Sequence, residues 1–321
     1  MTNIGRAFSI LAITFLGLFF VNAAQAQTTR TWMSAVGDDN NPCSRTAPCK
    51  TLPGAYALTA PGGEINCLDP GGFGALTITK AITISCQVGT AGVLVSGSNG
   101  ITVNAGPNDA VFIEGLDIEG DGASGASLSG IQFNSGAALH VKKCIIRGFA
   151  ASPAYGINFT PGAAGSALYV EDSYISDNGA GTIGGGIAIN PGAGASAFAV
   201  IDNVKVNNNA LGVAGVGVGN AGVKLSIMNS TISGSALANL VADSTGGPVT
   251  IIVEQSVISN STRNGVNAIG SGSVINLGKS IISGNAEASF VMSSGGLVQS
   301  YGDNDINGNG TDAAPPAAAR H

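Results

Sequence analysis

Apolar and polar residues alternate in short bursts that return along most of the chain. Leu139 and Val141 flank His140, Leu168 and Val170 flank Tyr169, and Leu225 and Ile227 flank Ser226; Phe198 and Val200 read as the same pair. A period of two marks a strand with one buried face. A small residue follows each burst, then a second apolar position: Ile146, Ile175, Val206, Ile232, Ile258, Ile282 and Ile306. Ser, Asn, Asp and Gly come next, as at 176–179 and 283–285. Asn tolerates left-handed backbone geometry, so these runs predict sharp corners.

A second short strand completes each unit, with copies at 130–133, 156–159, 186–189, 215–218 and 265–268. The first strands begin at Leu139, Leu168, Phe198, Leu225, Ile251 and Ile275, 24 to 30 residues apart, and a more distant copy lies at 110–121. That interval holds two or three short strands and their turns, with no helix-period stretch between them. Self-similarity of this kind predicts an all-β parallel β-helix, a solenoid in which each coil hydrogen-bonds to the next and like residues stack in columns. The small column is read as Cys144, Ser173, Asn203, Ser230, Ser256 and Ser280.

The two ends depart from the pattern. Residues 1–26 read as a signal peptide: Arg6, an apolar run from Phe8 to Val21, and Ala24-Gln25-Ala26 as a small-x-small site cut after Ala26. The product is expected to be secreted or periplasmic, with no membrane insertion after cleavage. Residues 27–66 are expected to hold an N-terminal strand, a disulfide loop and a short capping helix within 50–60. Residues 67–310 are assigned to the coils. Residues 311–321, with Pro315 and Pro316, are expected to be a disordered tail. An exposed sheet edge invites pairing with another chain, which is why a cap is expected.

Composition adds limits. Charged residues are 10% of the chain, Gly numbers 49 and the net charge is −6. No basic block is present, so nucleic acid is not an expected partner. Five cysteines fit an oxidising compartment. Cys43 and Cys49 bracket a loop, while Cys67 and Cys86 lie about one coil apart. Pairs 43–49 and 67–86 are predicted, although four cysteines allow three pairings. Cys144 is left over as a small core residue.

The segment 31–42, Thr-Trp-Met-Ser-Ala-Val-Gly-Asp-Asp-Asn-Asn-Pro, is followed by Ala-Pro-Cys-Lys-Thr-Leu at 47–52 and by Gly62-Gly63-Glu64-Ile65. Together with the repeats, this resembles the opening of secreted bacterial parallel β-helix proteins of the pectate-lyase-like superfamily, over about residues 30–310. The resemblance implies a right-handed coil. The superfamily includes polysaccharide lyases, polygalacturonases, epimerases, tailspikes and adhesins, so it assigns no reaction. The motifs resemble an uncharacterised group with paired cysteines in the cap.

Chemistry is sparse in the sequence. A lyase of this kind needs clustered carboxylates for Ca²⁺ and a basic residue to take a proton. An inverting glycosidase needs close carboxylates on either side of the scissile bond. Asp38-Asp39 is the only adjacent Asp pair and reads as a loop device. No cofactor or metal is expected. The richest surface joins coils 110–175: Glu114, Lys142 and Glu171 in one outward column, Glu119 beside Arg147 in another, His140 and Tyr169 with Phe112 in a third, and Asp117 and Tyr174 with Ile145 in a fourth. Rings can stack on pyranose faces and charged groups can bind hydroxyls, so a polysaccharide or cell-surface glycan is the expected partner. The same columns also serve simply to neutralise stacked charge. The sequence therefore favours an exported, non-catalytic glycan- or partner-binding or structural surface protein. The alternative is a divergent polysaccharide lyase, glycoside hydrolase or epimerase acting on an acidic polysaccharide through the same flank.

Overall fold

The computed structural model describes residues 27–89, 91–122, 128–217, 219 and 222–319; the segment read as a signal peptide lies outside them. Three sheets of 11, 9 and 10 strands run the length of a parallel β-helix. Each coil visits the sheets in a fixed order. Ala138–Lys142 lies in the 11-stranded sheet, Ile145–Arg147 in the 10-stranded sheet and Tyr155–Phe159 in the 9-stranded sheet, before Ser166–Glu171 returns to the first. These are called the first, third and second sheets below. The short apolar bursts form strands because stacking buries one face of each: Leu139, Ile146, Ile157, Phe159, Leu168 and Ile175 are all fully buried.

The corner between the first and third sheets sets the register. Its residues Lys143, Asp172, Asn203, Asn229, Gln255 and Lys279 all have φ between 47° and 54°. This left-handed geometry is costly for most side chains, and Asn tolerates it best. Across the corner the inward residues stay five positions apart: Val141 to Ile146, Val170 to Ile175, Ile201 to Val206, Ile227 to Ile232. That interval corrects one expected register. Ala197, Ala199 and Ile201 point inward, whereas Phe198 is 45% exposed and Val200 is only partly buried. A one-residue shift exchanges the two faces of a strand. By the same shift, Val204 joins the small column and Asn203 sits at the corner.

The small column is a hydrogen-bond ladder. The Ser173, Ser230, Ser256 and Ser280 hydroxyls donate to the carbonyls of Glu171, Met228, Glu254 and Gly278. They accept from the backbone N–H of Cys144, Val204, Ser230 and Ser256 on the preceding coil. An asparagine ladder occupies another corner. Asn178 donates its side-chain amide to Asn209 Oδ1, and Asn285 donates to Asn309 Oδ1. Between them the column holds the shorter Ser235 and Ser261. There Asn239 reaches in from the second sheet, accepting from the Ser235 N–H and donating to Asn285 Oδ1.

Asn239 stands where Gly130, Gly156, Gly186 and Gly212 occur in other coils. A Cβ at Gly130, Gly156 or Gly186 would collide with the Ile146, Ile175 or Val206 side chain. This alignment corrects the strand expected at 215–218: Val213 pairs with Ile187 and Leu240, so the copy is Gly212 to Gly215.

At the amino end, a helix, α1, spans Leu52–Leu58. The Thr51 side chain caps it by accepting from the Gly54 N–H, and Leu52 and Ala55 are buried. Asp39 Oδ1 accepts from the Lys50 and Thr51 N–H groups, and its Oδ2 accepts from the Thr51 hydroxyl, which ties the loop to the helix start. Lys80 Nζ donates to the Tyr56 and Thr59 carbonyls at the other end. Cys43 pairs with Cys49 and Cys67 with Cys86, with Cα separations of 4.7 and 5.0 Å. The first loop covers the outer edge of Thr28–Met33, since Trp32 N–H donates to the Cys43 carbonyl and Cys49 N–H to the Trp32 carbonyl.

The segment expected to be a disordered tail is ordered over 311–319. Ser289 N–H donates to the Thr311 carbonyl, Ser300 N–H to the Pro316 carbonyl and Ala318 N–H to the Ser300 carbonyl. Free edge groups of the last coil bind this segment, and Asp312 ties it down by accepting from the Gly308 and Asn309 N–H groups. No helix of the described residues is long and apolar enough to cross a membrane.

Candidate functional site

On the first sheet, outward positions two apart on each strand build two parallel columns. Thr83, Phe112, His140 and Tyr169 form one, and Ser85, Glu114, Lys142 and Glu171 the other. A furrow of about 380 Å³ runs between them, with the main chain at Ile113 and Val141 as its floor. Beyond the rings, Ala110, Ala138 and Ala167 form a third outward column, so nothing bulky shields that side.

The rings stack on one another. Phe112 and His140 centroids lie 4.2 Å apart at 12°, and His140 and Tyr169 lie 4.5 Å apart at 10°. Both faces of the imidazole are therefore covered, and the furrow meets ring edges. This revises how the rings can serve a sugar. Tyr169 is followed in the column by Val200, so stacking on a pyranose is confined to Phe112, which is 42% exposed and faces the small Thr83. Burial is the main influence on His140 and lowers its pKa below the ordinary imidazole value, with Glu171 opposing. The ring is neutral at neutral pH.

Every cation of the flank is paired. Lys142 Nζ lies 3.3 Å from Glu171, whose hydrogen bond and charge raise the lysine pKa. Glu114 is bound by Lys143 at 3.0 Å rather than by Lys142. Lys143 was missed as a member of the flank because its position is a corner, not a strand. The adjacent Lys142-Lys143 pair was the available signal. Arg147 lies between two acids, 3.0 Å from Asp117 and in contact with Glu119.

The nine residues singled out in the sequence fall on two faces. Glu114, His140, Lys142, Tyr169 and Glu171 line the furrow. Asp117, Glu119, Arg147 and Tyr174 lie past the corner on the third sheet, where Ile145 pairs with both Asp117 and Tyr174. Alternation within strands brings column members together but leaves the two faces on different sheets.

The carboxylates do not suit a Ca²⁺ ion. Arg147 occupies the space between Asp117 and Glu119 where an ion would have to bind, and each furrow acid holds a lysine. Among the described residues no three His, Cys, Asp or Glu side chains form a set able to hold a metal. Asp303, in the Gly-Asp-Asn-Asp segment, accepts from the Lys279 N–H instead.

Comparison with solved structures identifies the fold. The chain is similar to the pectate lyase Pel9A, with a TM-score of 0.56 and 14% identity over 92% of this chain and 82% of that one. The fold is thus the pectate-lyase-like parallel β-helix. A Dettilon tailspike protein (TM-score 0.48, 13% identity, 77% of this chain and 56% of that one) and a rhamnogalacturonan lyase (0.40, 13%, 81% and 75%) are weaker likenesses. No protein-family model and no curated protein sequence matches the chain.

Proposed function

We propose that this is an exported β-helix whose first-sheet furrow binds a glycan without cleaving it. The observation that carries this reading is the furrow itself: ring edges on one wall, hydrogen-bonding charged groups on the other, and an open main-chain floor. Neighbouring coils lie about 4.8 Å apart, so a chain laid along the solenoid axis meets a ring on one side and a charged group on the other at three successive coils. Export is supported by the two disulfides, which belong to oxidising compartments.

The non-catalytic part rests on how the charges are spent. A general base must reach the proton it removes. Lys142, Lys143 and Arg147 are each held by a carboxylate, which leaves none of the three available as a base. The likeness to a pectate lyase favours the second reading, a divergent lyase, hydrolase or epimerase.

Incubation with a polysaccharide panel, with and without Ca²⁺, separates the two. Affinity electrophoresis should show retardation by at least one glycan, weakened by Tyr169→Ala and Lys142→Ala, while mass spectrometry finds the chains intact. Shortened or unsaturated products that vanish with Lys142→Ala or Arg147→Ala would establish the catalytic reading instead.

A further inference from the structure

We infer that the furrow takes an uncharged glycan and discriminates against polyuronates, an inference that rests on the glycan-binding reading above. Charge along the furrow is net acidic. Its lining carries Glu114 and Glu171 against Lys142. Adding the adjoining corner brings Lys143 and Asp172, which makes three carboxylates against two ammonium groups. The furrow imidazole is neutral. Farther along, the same outward column supplies Asp202 and Glu254, both acidic. Past the corner, Arg147 is shared by Asp117 and Glu119. The furrow itself has no surplus cation; Lys205 and Lys224 lie on the next two coils, and the whole chain carries −6.

A polyuronate brings one negative charge with each sugar. To capture Lys142 it must displace Glu171. Opening that solvent-facing pair costs little, so breaking it is not the obstacle. The obstacle is the released carboxylate, which would face the incoming one at close range; like charges set together this way are the usual means of excluding a wrong partner. A neutral chain meets no such conflict. Its hydroxyls donate to Glu114 and Glu171 and accept from Lys142, leaving both ion pairs closed. The Phe112 face then offers a stacking site that carries no charge.

Affinity electrophoresis at low and moderate salt tests this with neutral glycans (mixed-linkage β-glucan, xyloglucan, galactomannan), with polygalacturonate and alginate, and with chitosan as a cationic control. Retention by a neutral glycan that changes little with salt, with at least tenfold weaker retention by the polyuronates, is the expected result. The Glu171→Gln substitution should raise the ratio of polyuronate to neutral-glycan retention several-fold at low salt, because it frees Lys142. Tighter retention by a polyuronate than by any neutral glycan overturns the inference while keeping glycan binding. So does retention by chitosan alone that vanishes with salt. Retention by none of these would overturn the glycan-binding reading itself.

Discussion

Ser230 links three coils through one hydroxyl and its own N–H. The hydroxyl donates to Met228 and accepts from Val204, while the Ser230 N–H donates to Ser256. Ser230→Ala removes the acceptor for a buried N–H. It should cost about 1–3 kcal/mol in urea denaturation, and no change in the midpoint would show the ladder to be incidental. Cys144 closes the same column with its thiol directed at the Lys142 and Ile113 carbonyls. Burial pushes that thiol up to about 12, which makes it inert as a nucleophile. The smallness of this column was readable from the sequence as a recurring residue type. Its bonding was not, because the acceptor and donor partners belong to neighbouring coils. Asn239 was unreadable for a related reason. Its amide stands in for residues missing at Ser235 and Ser261, in a column it does not share.

Among the strands, periodicity located nearly every element, and the errors were errors of phase. Phe198 was read as buried because Ala-Phe-Ala-Val alternates equally well in either register. Counting five residues back from Val206, through the left-handed corner at Asn203, selects Ile201 and so places Phe198 outside. Corners fixed the phase where side-chain hydrophobicity could not. The cap is a different kind of element, since a covalent bond joins coils otherwise held by hydrogen bonds. Replacing Cys67 and Cys86 with Ser opens a link between residues 19 apart and should cost about 3 kcal/mol. In a stack whose units contact only their neighbours, the loss should stay local. Hydrogen exchange should accelerate in Thr59–Cys67 and Ile82–Ser85 and remain unchanged in Val249–Glu254. Uniform acceleration would show the whole solenoid to unfold as one unit.

For the molecule as a whole, the residue types of the candidate site were readable, but their grouping was not. Column membership follows from repeat alignment, whereas the division of Lys142 from Arg147 depends on a corner that turns the chain onto another sheet. The far end carried a second surprise. Polar, Ala- and Pro-rich composition at 311–319 reads as disorder, yet the last coil supplies main-chain partners that hold the segment in place. A space of about 540 Å³ remains beneath it, lined in part by Ile306 and Pro315. Deleting 311–321 exposes the Ser289 and Ser300 N–H groups and the Ile306 side chain. Light scattering should then find concentration-dependent species larger than those of the intact chain, since a bared edge recruits other strands. An unchanged mass at every concentration would show that the tail does not guard the edge.

The left-handed corner recurs in coil after coil with the same five-residue stride, so everything between two corners behaves as a cassette. Splicing one out or copying one in, corner to corner, preserves the inward and outward phase of every strand on either side. Groove length in this architecture is then a digital trait, altered one coil at a time by recombination, while the chemistry of each added rung is free to drift alone.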